Sequence, residues 1–359
     1  MKAAQFFGAR DVRVQDVPKP EPKENEALVA IEWCGICGSD LHEYLLGPLI
    51  IPRKERPHPL TGEYLPTTLG HEFCGRIVSA PNGSNLSPGQ PVMVDPRIYC
   101  SNCSRCNETS TNACASWGFK GYSGSGGGFS ELIAIDVKLC YPLPHSVDLT
   151  LAALIEPLAV AWHAVELAGV TDWSCTSVLI LGGGPVGIAH IYVLRAKGCK
   201  QIFVSEPTST RAAQNKELAN QVLNPIKEKI GDRCREFTSG EGVDVVFDCA
   251  GIQKGMDAGM DALRYKGTYM NVAGWETPMI VPLMLLMLKE LTIKASMAYD
   301  DKHFKETVDA FVAGKFSGLE KMVTSRIHID DISKKGFDEL VDNKDHHIKI
   351  MVTTHKDKL

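Results

Sequence analysis

A glycine-rich turn between an apolar strand and a helix constrains the fold of this chain more than any other feature. Residues 177–181 form an apolar run typical of a strand that is buried on both faces, and residues 182–187 read Gly-Gly-Gly-Pro-Val-Gly. Glycines at the G-x-G-x-x-G positions allow a tight turn, close approach of an anion to the backbone and close packing of the following helix. The candidate contacts to a dinucleotide are Gly182, Gly184, Pro185, Val186 and Gly187.

Strands and helices alternate from about residue 152 to residue 298. The pattern predicts helices at 152–167, 186–197, 210–218 and 254–263, and further strands at 201–205, 243–248 and 267–272. Such alternation is typical of a parallel, doubly wound sheet. We therefore predict an α/β protein with a Rossmann-type NAD-binding domain at 152–298.

Residues after two of these strands bear on the choice of cofactor. Glu206 follows the second strand, where a carboxylate accepts hydrogen bonds from the adenosine ribose and repels a 2′-phosphate. It also fits a plain surface carboxylate. Arg211 could pair with such a phosphate, but its place inside the next helix favours a solvent-facing residue or a ribose partner. We predict NAD as cofactor, with the nicotinamide beside Val272, Ala273 and Gly274.

The remaining parts of the chain have a different pattern of turn residues and apolar runs. Residues 1–151 are rich in turn residues between short strand-like runs, such as 27–31, 75–78 and 91–94. This pattern of short strands and frequent turns indicates an irregular all-β or α+β unit, such as a barrel. Mixed short elements return at 299–359, and we predict that this tail rejoins the first domain.

Four of the 12 cysteines form one cluster with the spacing C-x2-C-x2-C-x7-C, and they are Cys100, Cys103, Cys106 and Cys114. Four thiolates make a closed tetrahedral zinc site, which stabilises a loop and leaves no position for catalysis. An iron–sulfur cluster is the alternative, because C-x2-C-x2-C also serves clusters. The fourth spacing and the polar loop favour zinc.

Composition argues against several kinds of partner. Hydrophobic residues make up 44% and charged residues 23% of the chain, as in a globular protein with a full core. The net charge of −5 gives no reason to expect a nucleic acid or an anionic membrane as partner. The sequence has no apolar run of the ~18 residues that a membrane span needs, and its N-terminus lacks a signal-peptide core. We therefore expect a cytoplasmic protein with a small-molecule substrate.

Three further stretches carry possible metal ligands, at residues 35–42, 70–72 and 155–157. Their candidate ligands are Cys37, His71, Glu72 and Glu156. Spacing alone does not require these residues to meet. A buried cysteine, a hydrogen-bonded histidine and two surface carboxylates explain the same residues equally well.

Together the motifs resemble those of the zinc-containing medium-chain dehydrogenases. Gly-Ile-Cys-Gly-Ser-Asp, Leu-Gly-His-Glu-Phe, the four cysteines, Ile-Glu-Pro-Leu and Gly-Gly-Gly-Pro-Val-Gly appear in family order over essentially the whole chain. Residues 41–68, with His-Pro-Leu-Thr-Gly-Glu at 58–63, look most like (R,R)-2,3-butanediol dehydrogenases and next like sorbitol-type polyol dehydrogenases. The resemblance implies a GroES-like β-rich catalytic domain at 1–151. It also implies an enzyme that interconverts a small secondary alcohol or diol and its ketone, using zinc and NAD(H).

By this resemblance, Cys37 and His71 are ligands of a catalytic zinc ion, and Glu72 and Glu156 compete for the third protein position. One thiolate, one neutral imidazole and one carboxylate balance Zn²⁺, whereas a second carboxylate leaves an excess negative charge. We therefore expect only one glutamate to bind tightly while water or alcohol is bound, with the other hydrogen-bonded to the zinc water. In liver-type alcohol dehydrogenases a cysteine occupies the place of Glu156, so this residue favours the polyol and butanediol branch.

The resemblance also implies a proton relay. Ser39 would accept the alcohol proton, which passes through the nicotinamide ribose to His42 and then to solvent, while Asp40 fixes the tautomer of His71. Ser39 also fits a helix cap, a role compatible with the relay. His42 also fits an ordinary surface histidine.

Members of this family form homodimers or homotetramers, often by pairing of the strand near 292–297 with its copy, so we expect the same here. Residues 279–291 then read as core plus subunit contact. The alternative functions are a polyol or biosynthetic secondary-alcohol dehydrogenase, a non-redox zinc enzyme that retains NAD, and a zinc-free binding relative. The Ser39–His42 relay argues against the non-redox enzyme, and the complete ligand set argues against the zinc-free relative.

Overall fold

The structure is a computed structural model that describes all 359 residues. It divides into two compact units. The first unit comprises Met1–Glu156, Asp300–Gly314 and Gly318–Leu359, and the second unit comprises Pro157–Tyr299 and Lys315–Ser317. The domain bounds of 1–151, 152–298 and 299–359 that the sequence suggests stay a prediction.

The N-terminal part of the first unit consists mainly of strands. The strands are β1 (Lys2–Gly8), β2 (Asp11–Asp16), β3 (Glu26–Gly35), β4 (Thr67–Thr68), β5 (Glu72–Ser79), β6 (Pro91–Val94), β7 (Arg97–Ile98), β8 (Gly118–Phe119), β9 (Leu132–Asp136) and β10 (Cys140–Pro142). The helices are α1 (Gly38–Leu46), α2 (Ser104–Asn107) and α3 (Leu149–Ala152). The prediction that short strands predominate in this part of the chain is confirmed.

The middle of the chain alternates between helices and strands. The helices are α4 (Ile155–Ala168), α5 (Pro185–Ala196), α6 (Ser209–Asn215), α7 (Ile230–Phe237), α8 (Gln253–Ala262) and α9 (Leu283–Lys289). The strands are β11 (Ser177–Leu181), β12 (Gln201–Ser205), β13 (Gln221–Leu223), β14 (Val243–Asp248), β15 (Leu263–Asn271) and β16 (Thr292–Ala295). The C-terminal return adds α10 (Asp301–Val312), β17 (Val323–His328), α11 (Glu339–Asp342) and β18 (Lys349–Thr353).

The main sheet of the first unit brings distant parts of the chain together. Its strand order is β10-β6-β5-β3-β18-β17, and β9 also pairs with β3. In this register Gly35, the last residue of β3, lies opposite Glu72 of β5 and opposite Met351 of β18. The N-terminal segment, the metal-ligand motif at 70–72 and the C-terminal return therefore meet at the end of β3.

The second unit contains a six-stranded parallel sheet with the order β13-β12-β11-β14-β15-β16. Every residue of β11 is buried, as expected for a central parallel strand covered on both faces. Its apolar core includes Leu179, Val246, Met260 and Tyr269. This is the predicted doubly wound architecture.

Some predicted elements differ from the structure. The single helix expected at 152–167 is divided between α3 and α4. Helix α7 and strand β13 escape prediction, because α7 contains a glycine and several charged residues and β13 has only three residues.

The apolar segment at 279–291 is only partly core within one chain. Four residues of α9 are exposed by 65–72%, namely Leu283, Met284, Met287 and Leu288. Only the other face of this helix, with Leu285 and Leu286, packs against the core of the second unit. One face of the segment is therefore core, as expected, and the subunit contact expected of the other face stays a prediction.

One helical stretch, Leu149–Ala168, is long and apolar enough to cross a membrane. Within its most apolar window, however, 78% is buried inside the protein. A core helix of a globular protein has this property.

Candidate metal and cofactor sites

The thiol of Cys37, the imidazole of His71 and the carboxylate of Glu72 converge in the first unit. Their donor atoms all lie within 4.8 Å of one another. Cys37 caps the N-terminus of α1, and Glu72 begins β5 directly after His71. The three side chains, which we call the Cys37 site, come from motifs more than 30 residues apart in the sequence.

Asp40 holds two members of the Cys37 site in place. This carboxylate is completely buried; its Oδ2 accepts a hydrogen bond from the backbone N–H of Cys37 at 3.0 Å. Its Oδ1 lies 3.4 Å from Nδ1 of His71. Burial lowers the pKa of His71, but the facing charges of Asp40 and Cys37 outweigh burial and raise it well above its ordinary value. The site therefore favours a positive charge at its centre.

Several polar atoms at this site are buried without a hydrogen-bond partner. They are Oδ1 of Asp40, Nδ1 of His71 and Oε2 of Glu72. Oδ1 of Asp40 and Nδ1 of His71 face each other at 3.4 Å. Because an unsatisfied buried polar atom costs ~1–3 kcal/mol, Oε2 of Glu72 is the atom for which an ion at this site would supply a partner. Thiolate, imidazole and carboxylate are the donors of catalytic zinc sites, and the residues present therefore fit a zinc ion.

A lysine that the sequence motifs did not reveal completes the surroundings of Glu72. The Nζ of Lys349 lies 2.7 Å from Oε1 of Glu72, and both side chains are buried. Glu156, in the first turn of α4, is also buried, and its charge contributes to raising the pKa of Lys349. Burial opposes that rise, but it is outweighed by the charges of Glu72, Cys37 and Glu156. A lysine within an otherwise apolar strand, Ile-Lys-Ile-Met-Val, was the available signal.

Ser39 lies beside the Cys37 site. Its Oγ is 3.5 Å from Nε2 of His71 and accepts a 2.8 Å hydrogen bond from the hydroxyl of Tyr122. Burial and the charges of Asp40 and Cys37 raise the pKa of Tyr122 well above its ordinary value, so this hydroxyl keeps its proton. His42 lies one helical turn after Ser39 and is exposed. Residues three apart share a helix face, and the two predicted relay residues therefore lie between a buried site and solvent.

The four cysteines of the second cluster also converge, and all their sulfur atoms lie within 4.8 Å of one another. The Sγ of Cys100 is 3.9 Å from that of Cys106 and 3.5 Å from that of Cys114. A tetrahedron with zinc–sulfur bonds of ~2.3 Å has edges of about 3.8 Å. Backbone N–H groups of Ala115 and Cys106 lower the pKa of Cys103 to about 6, which favours the thiolate. These spacings fit one ion better than a multinuclear cluster.

The glycine turn of the second unit has the backbone that its sequence predicts. Gly182 has a φ of +92°, and a Cβ at Gly187 would lie 2.0 Å from the carbonyl oxygen of Gly182. Helix α5 begins at Pro185, with Gly184 as its N-cap. Its unpaired N-terminal N–H groups suit a phosphate. The turn thus fits the pyrophosphate of a dinucleotide.

Glu206 is buried, not a surface carboxylate, with 3% of its area exposed. Its two oxygens accept hydrogen bonds from the backbone N–H groups of Gly183 and Thr208, both at 2.8 Å. Asn215, which the motifs did not reveal, donates to the carbonyl oxygen of Gly183 at 2.8 Å. The half-buried Arg211 reaches toward Gly184, where an added Cβ would lie 3.4 Å from its Nη1. Glu206 and Asn215 therefore hold the backbone of Gly183, within the glycine turn, by hydrogen bonds.

The segment expected beside the nicotinamide continues directly from β15. The backbone N–H groups of Val272 and Ala273 both donate to the carbonyl oxygen of Asp248, which ends β14. Gly274 follows, and a Cβ added there would meet no atom within 4 Å. The segment therefore lies at the carboxyl end of the parallel strands, where open α/β sheets bind ligands.

Two family models match the chain. The model described as an alcohol dehydrogenase GroES-like domain matches residues 23–145, and the model described as a zinc-binding dehydrogenase matches residues 185–313. The chain therefore belongs to the zinc-binding alcohol dehydrogenase family. It is a zinc-dependent, NAD-linked alcohol dehydrogenase with a GroES-like and a Rossmann fold, which confirms the family, fold class, enzyme class and cofactors predicted from the sequence.

Similar proteins match over their full length. An (R,R)-butanediol dehydrogenase of Neisseria gonorrhoeae is 35% identical, with 98% of this chain and 99% of that protein covered. The (R,R)-butanediol dehydrogenase of Saccharomyces cerevisiae is 36% identical, with 98% of each covered. The crystal structure of 2R,3R-butanediol dehydrogenase from Bacillus subtilis has a TM-score of 0.91 at 32% identity, with 99% of each chain covered.

The space around Glu72 predicts the effect of a single methyl group. A Cβ at Gly35 would lie 2.2 Å from Oε2 of Glu72 and 3.1 Å from Cδ of Lys349. Gly35→Ala should displace the Glu72 carboxylate and lower zinc affinity at the Cys37 site by about 10–100-fold, the usual effect of disturbing the support of a ligand. Competition with a chromophoric chelator measures that affinity.

Gly38→Ala is the matched control, because a Cβ at this nearby glycine meets no atom within 4 Å. It should leave zinc affinity unchanged. Equal zinc affinity in the Gly35→Ala variant and the native protein would show that Glu72 does not support the ion.

Proposed function

We propose that this protein interconverts a small vicinal diol and its hydroxyketone, with (R,R)-2,3-butanediol and acetoin as the type of substrate pair. The observation that carries the proposal is the convergence of Cys37, His71 and Glu72 beside Ser39. The full-length similarity to butanediol dehydrogenases supports the choice of substrate class. A glutamate at position 156, in place of a second cysteine, supports the same branch.

Cys37, His71 and one of the two glutamates, Glu72 or Glu156, would hold the catalytic zinc ion. When bound, zinc supplies a Lewis acid that lowers the pKa of an alcohol, and NAD supplies the hydride acceptor. Asp40 orients the imidazole of His71, as carboxylates commonly do for histidine ligands. Cys100, Cys103, Cys106 and Cys114 would hold a second, structural zinc ion.

Ser39 would receive the proton of the alcohol. Its Oγ already accepts a hydrogen bond from Tyr122, which occupies one lone pair and leaves the other for the substrate hydroxyl. The serine proton is then free to be donated toward His42, which is exposed to solvent. Tyr122 thereby fixes the direction of proton transfer at Ser39.

The second unit would bind NAD in preference to NADP. Gly182, Gly184, Pro185, Val186 and Gly187 would contact the pyrophosphate, and Val272, Ala273 and Gly274 the nicotinamide. The buried carboxylate of Glu206 supports the preference, since a 2′-phosphate beside it would be repelled. Arg211 would contact the adenosine ribose. Twelve free cysteines support a reducing, cytoplasmic location.

Steady-state kinetics, followed by the absorbance of NADH, test this function. The assay compares NAD with NADP across the three stereoisomers of 2,3-butanediol, acetoin, sorbitol and xylitol. We expect the highest kcat/KM with NAD and (R,R)-2,3-butanediol, and a loss of about 10²–10⁴-fold in kcat for Ser39→Ala, the range of a removed acid–base group. Faster turnover of polyols than of butanediol would contradict the substrate class.

Two other results would overturn separate parts of the proposal. Turnover with NADP alone would contradict the role of Glu206. Retention of NAD without turnover of any alcohol would favour a non-redox zinc enzyme.

We also propose that the protein is a homodimer, which can assemble further into a tetramer. Strand β16 is the last strand of its sheet, with an unpaired outer edge, and edges of this kind pair readily with another chain. The exposed apolar face of α9 directly precedes it in the sequence. An edge strand beside an apolar surface supports an interface between two copies of the chain.

Light scattering coupled to size exclusion tests this interface. The native protein should have a mass of at least twice the 39.2 kDa of one chain, and Met287→Asp with Leu288→Asp should reduce it toward one chain, because charge is unfavourable in an apolar interface. Ile226→Asp is the control, since Ile226 is apolar and 80% exposed but lies far from α9 in the sequence. A monomeric native protein would contradict the proposal.

A further inference from the structure

Lys349 is a buried lysine whose ammonium group is paired with the carboxylate of Glu72. Its side chain is 2% exposed, its Nζ lies 2.7 Å from Oε1 of Glu72, and the carbonyl oxygen of Ile36 is 3.3 Å away. Lysines are almost never fully buried unless they are paired. The pairing partner here is a member of the Cys37 site.

The ion pair divides the two oxygens of Glu72 between two tasks. Oε1 is engaged by Lys349, whereas Oε2 is buried and has no hydrogen-bond partner. The absence of a side chain at Gly35 provides the space for Oε2, because a Cβ there would lie only 2.2 Å from it. Oε1 is therefore fixed by Lys349, whereas Oε2 lies against the backbone of Gly35 and takes part in no hydrogen bond.

The charge balance gives Lys349 a second effect. Cys37, Asp40, Glu72 and Glu156 carry four negative charges when ionised, and a zinc ion compensates two of them. Lys349 adds one positive charge at 2.7 Å from Glu72. The excess negative charge that two glutamates would leave at a zinc ion is thus reduced by a residue from the C-terminal return.

We propose that Lys349 is a positioning residue for the catalytic metal: it holds Glu72 by one oxygen, so that the carboxylate can bind the ion through the other oxygen only. The inference rests on the proposed zinc site. A carboxylate released from Lys349 could bind the ion through both oxygens. The second oxygen would raise the coordination number of the metal and occupy the coordination position that the substrate needs. Catalytic zinc sites depend on keeping that coordination position open.

Cobalt(II) substitution at the Cys37 site tests the inference through the spectrum of the metal, independently of turnover. In the native protein, Co²⁺ should show a thiolate charge-transfer band and intense d–d bands of a four-coordinate ion. In Lys349→Met, which keeps a long side chain without the charge, we expect the charge-transfer band to persist. The d–d bands should lose intensity by several-fold, because higher coordination numbers absorb more weakly. Lys349→Arg should retain the native spectrum.

A double-mutant cycle with Glu72→Gln separates positioning from a general structural role. We expect kcat/KM of Lys349→Met to fall about 10–100-fold in the native background, the usual cost of losing a partner of a metal ligand. The same substitution should have little further effect in Glu72→Gln, since the partner is already altered. Thermal unfolding of each holoenzyme shows whether the variants fold.

The outcomes distinguish the inference from the proposed function. An unchanged Co²⁺ spectrum in Lys349→Met, or an equal loss of kcat/KM in both backgrounds, would overturn the positioning role while the metal site stands. If Lys349→Met fails to fold, the spectrum of Lys349→Gln decides by the same criterion. A native protein without a thiolate-to-cobalt band would overturn the metal site and, with it, the inference.

Discussion

The burial of negative charge at the Cys37 site is the constraint on which the rest of the first unit depends. Asp40 and Glu72 are fully buried, and the donor atoms of Cys37, His71 and Glu72 lie within 4.8 Å of one another. Removing ionised groups from water is costly unless positive charge compensates them. Lys349 supplies part of this compensation, and a divalent cation held by Cys37, His71 and a glutamate would supply the rest. The charges and donor atoms of the site therefore fit a bound cation.

The fold meets this constraint through strand register. Strand β3 ends at Gly35, which lies opposite Glu72 on one side and Met351 on the other. Two residues before Met351, Lys349 begins β18 and reaches the same carboxylate. The C-terminal return is thus part of the site and does more than close the sheet.

Local patterns predicted the features that a short stretch of chain determines by itself. The glycine turn could be identified because Gly182 requires a positive φ and Gly187 must lie close to a carbonyl oxygen. The four cysteines could be identified because their short spacing brings the sulfur atoms within 4.8 Å of one another. Strands such as β11 and β14 followed from short apolar runs, and their predicted bounds agree with the structure.

Features that depend on distant contacts could not be predicted in this way. Lys349 and Tyr122 approach the Cys37 site from segments about 277 and 51 residues away from Glu72 and His71, and no local pattern marks either partner. Asn215 likewise reaches Gly183 across 32 residues. For α9, an apolar sequence does not distinguish residues of the core from apolar residues that stay exposed on the chain.

Anomalous diffraction at the zinc absorption edge, from crystals of the holoenzyme, tests the central claim most directly. The account predicts two peaks in each chain, one among the sulfur atoms of Cys100, Cys103, Cys106 and Cys114, and one within bonding distance of Cys37 and His71. A single peak at the four cysteines, with the Cys37 site filled only by water, would contradict it.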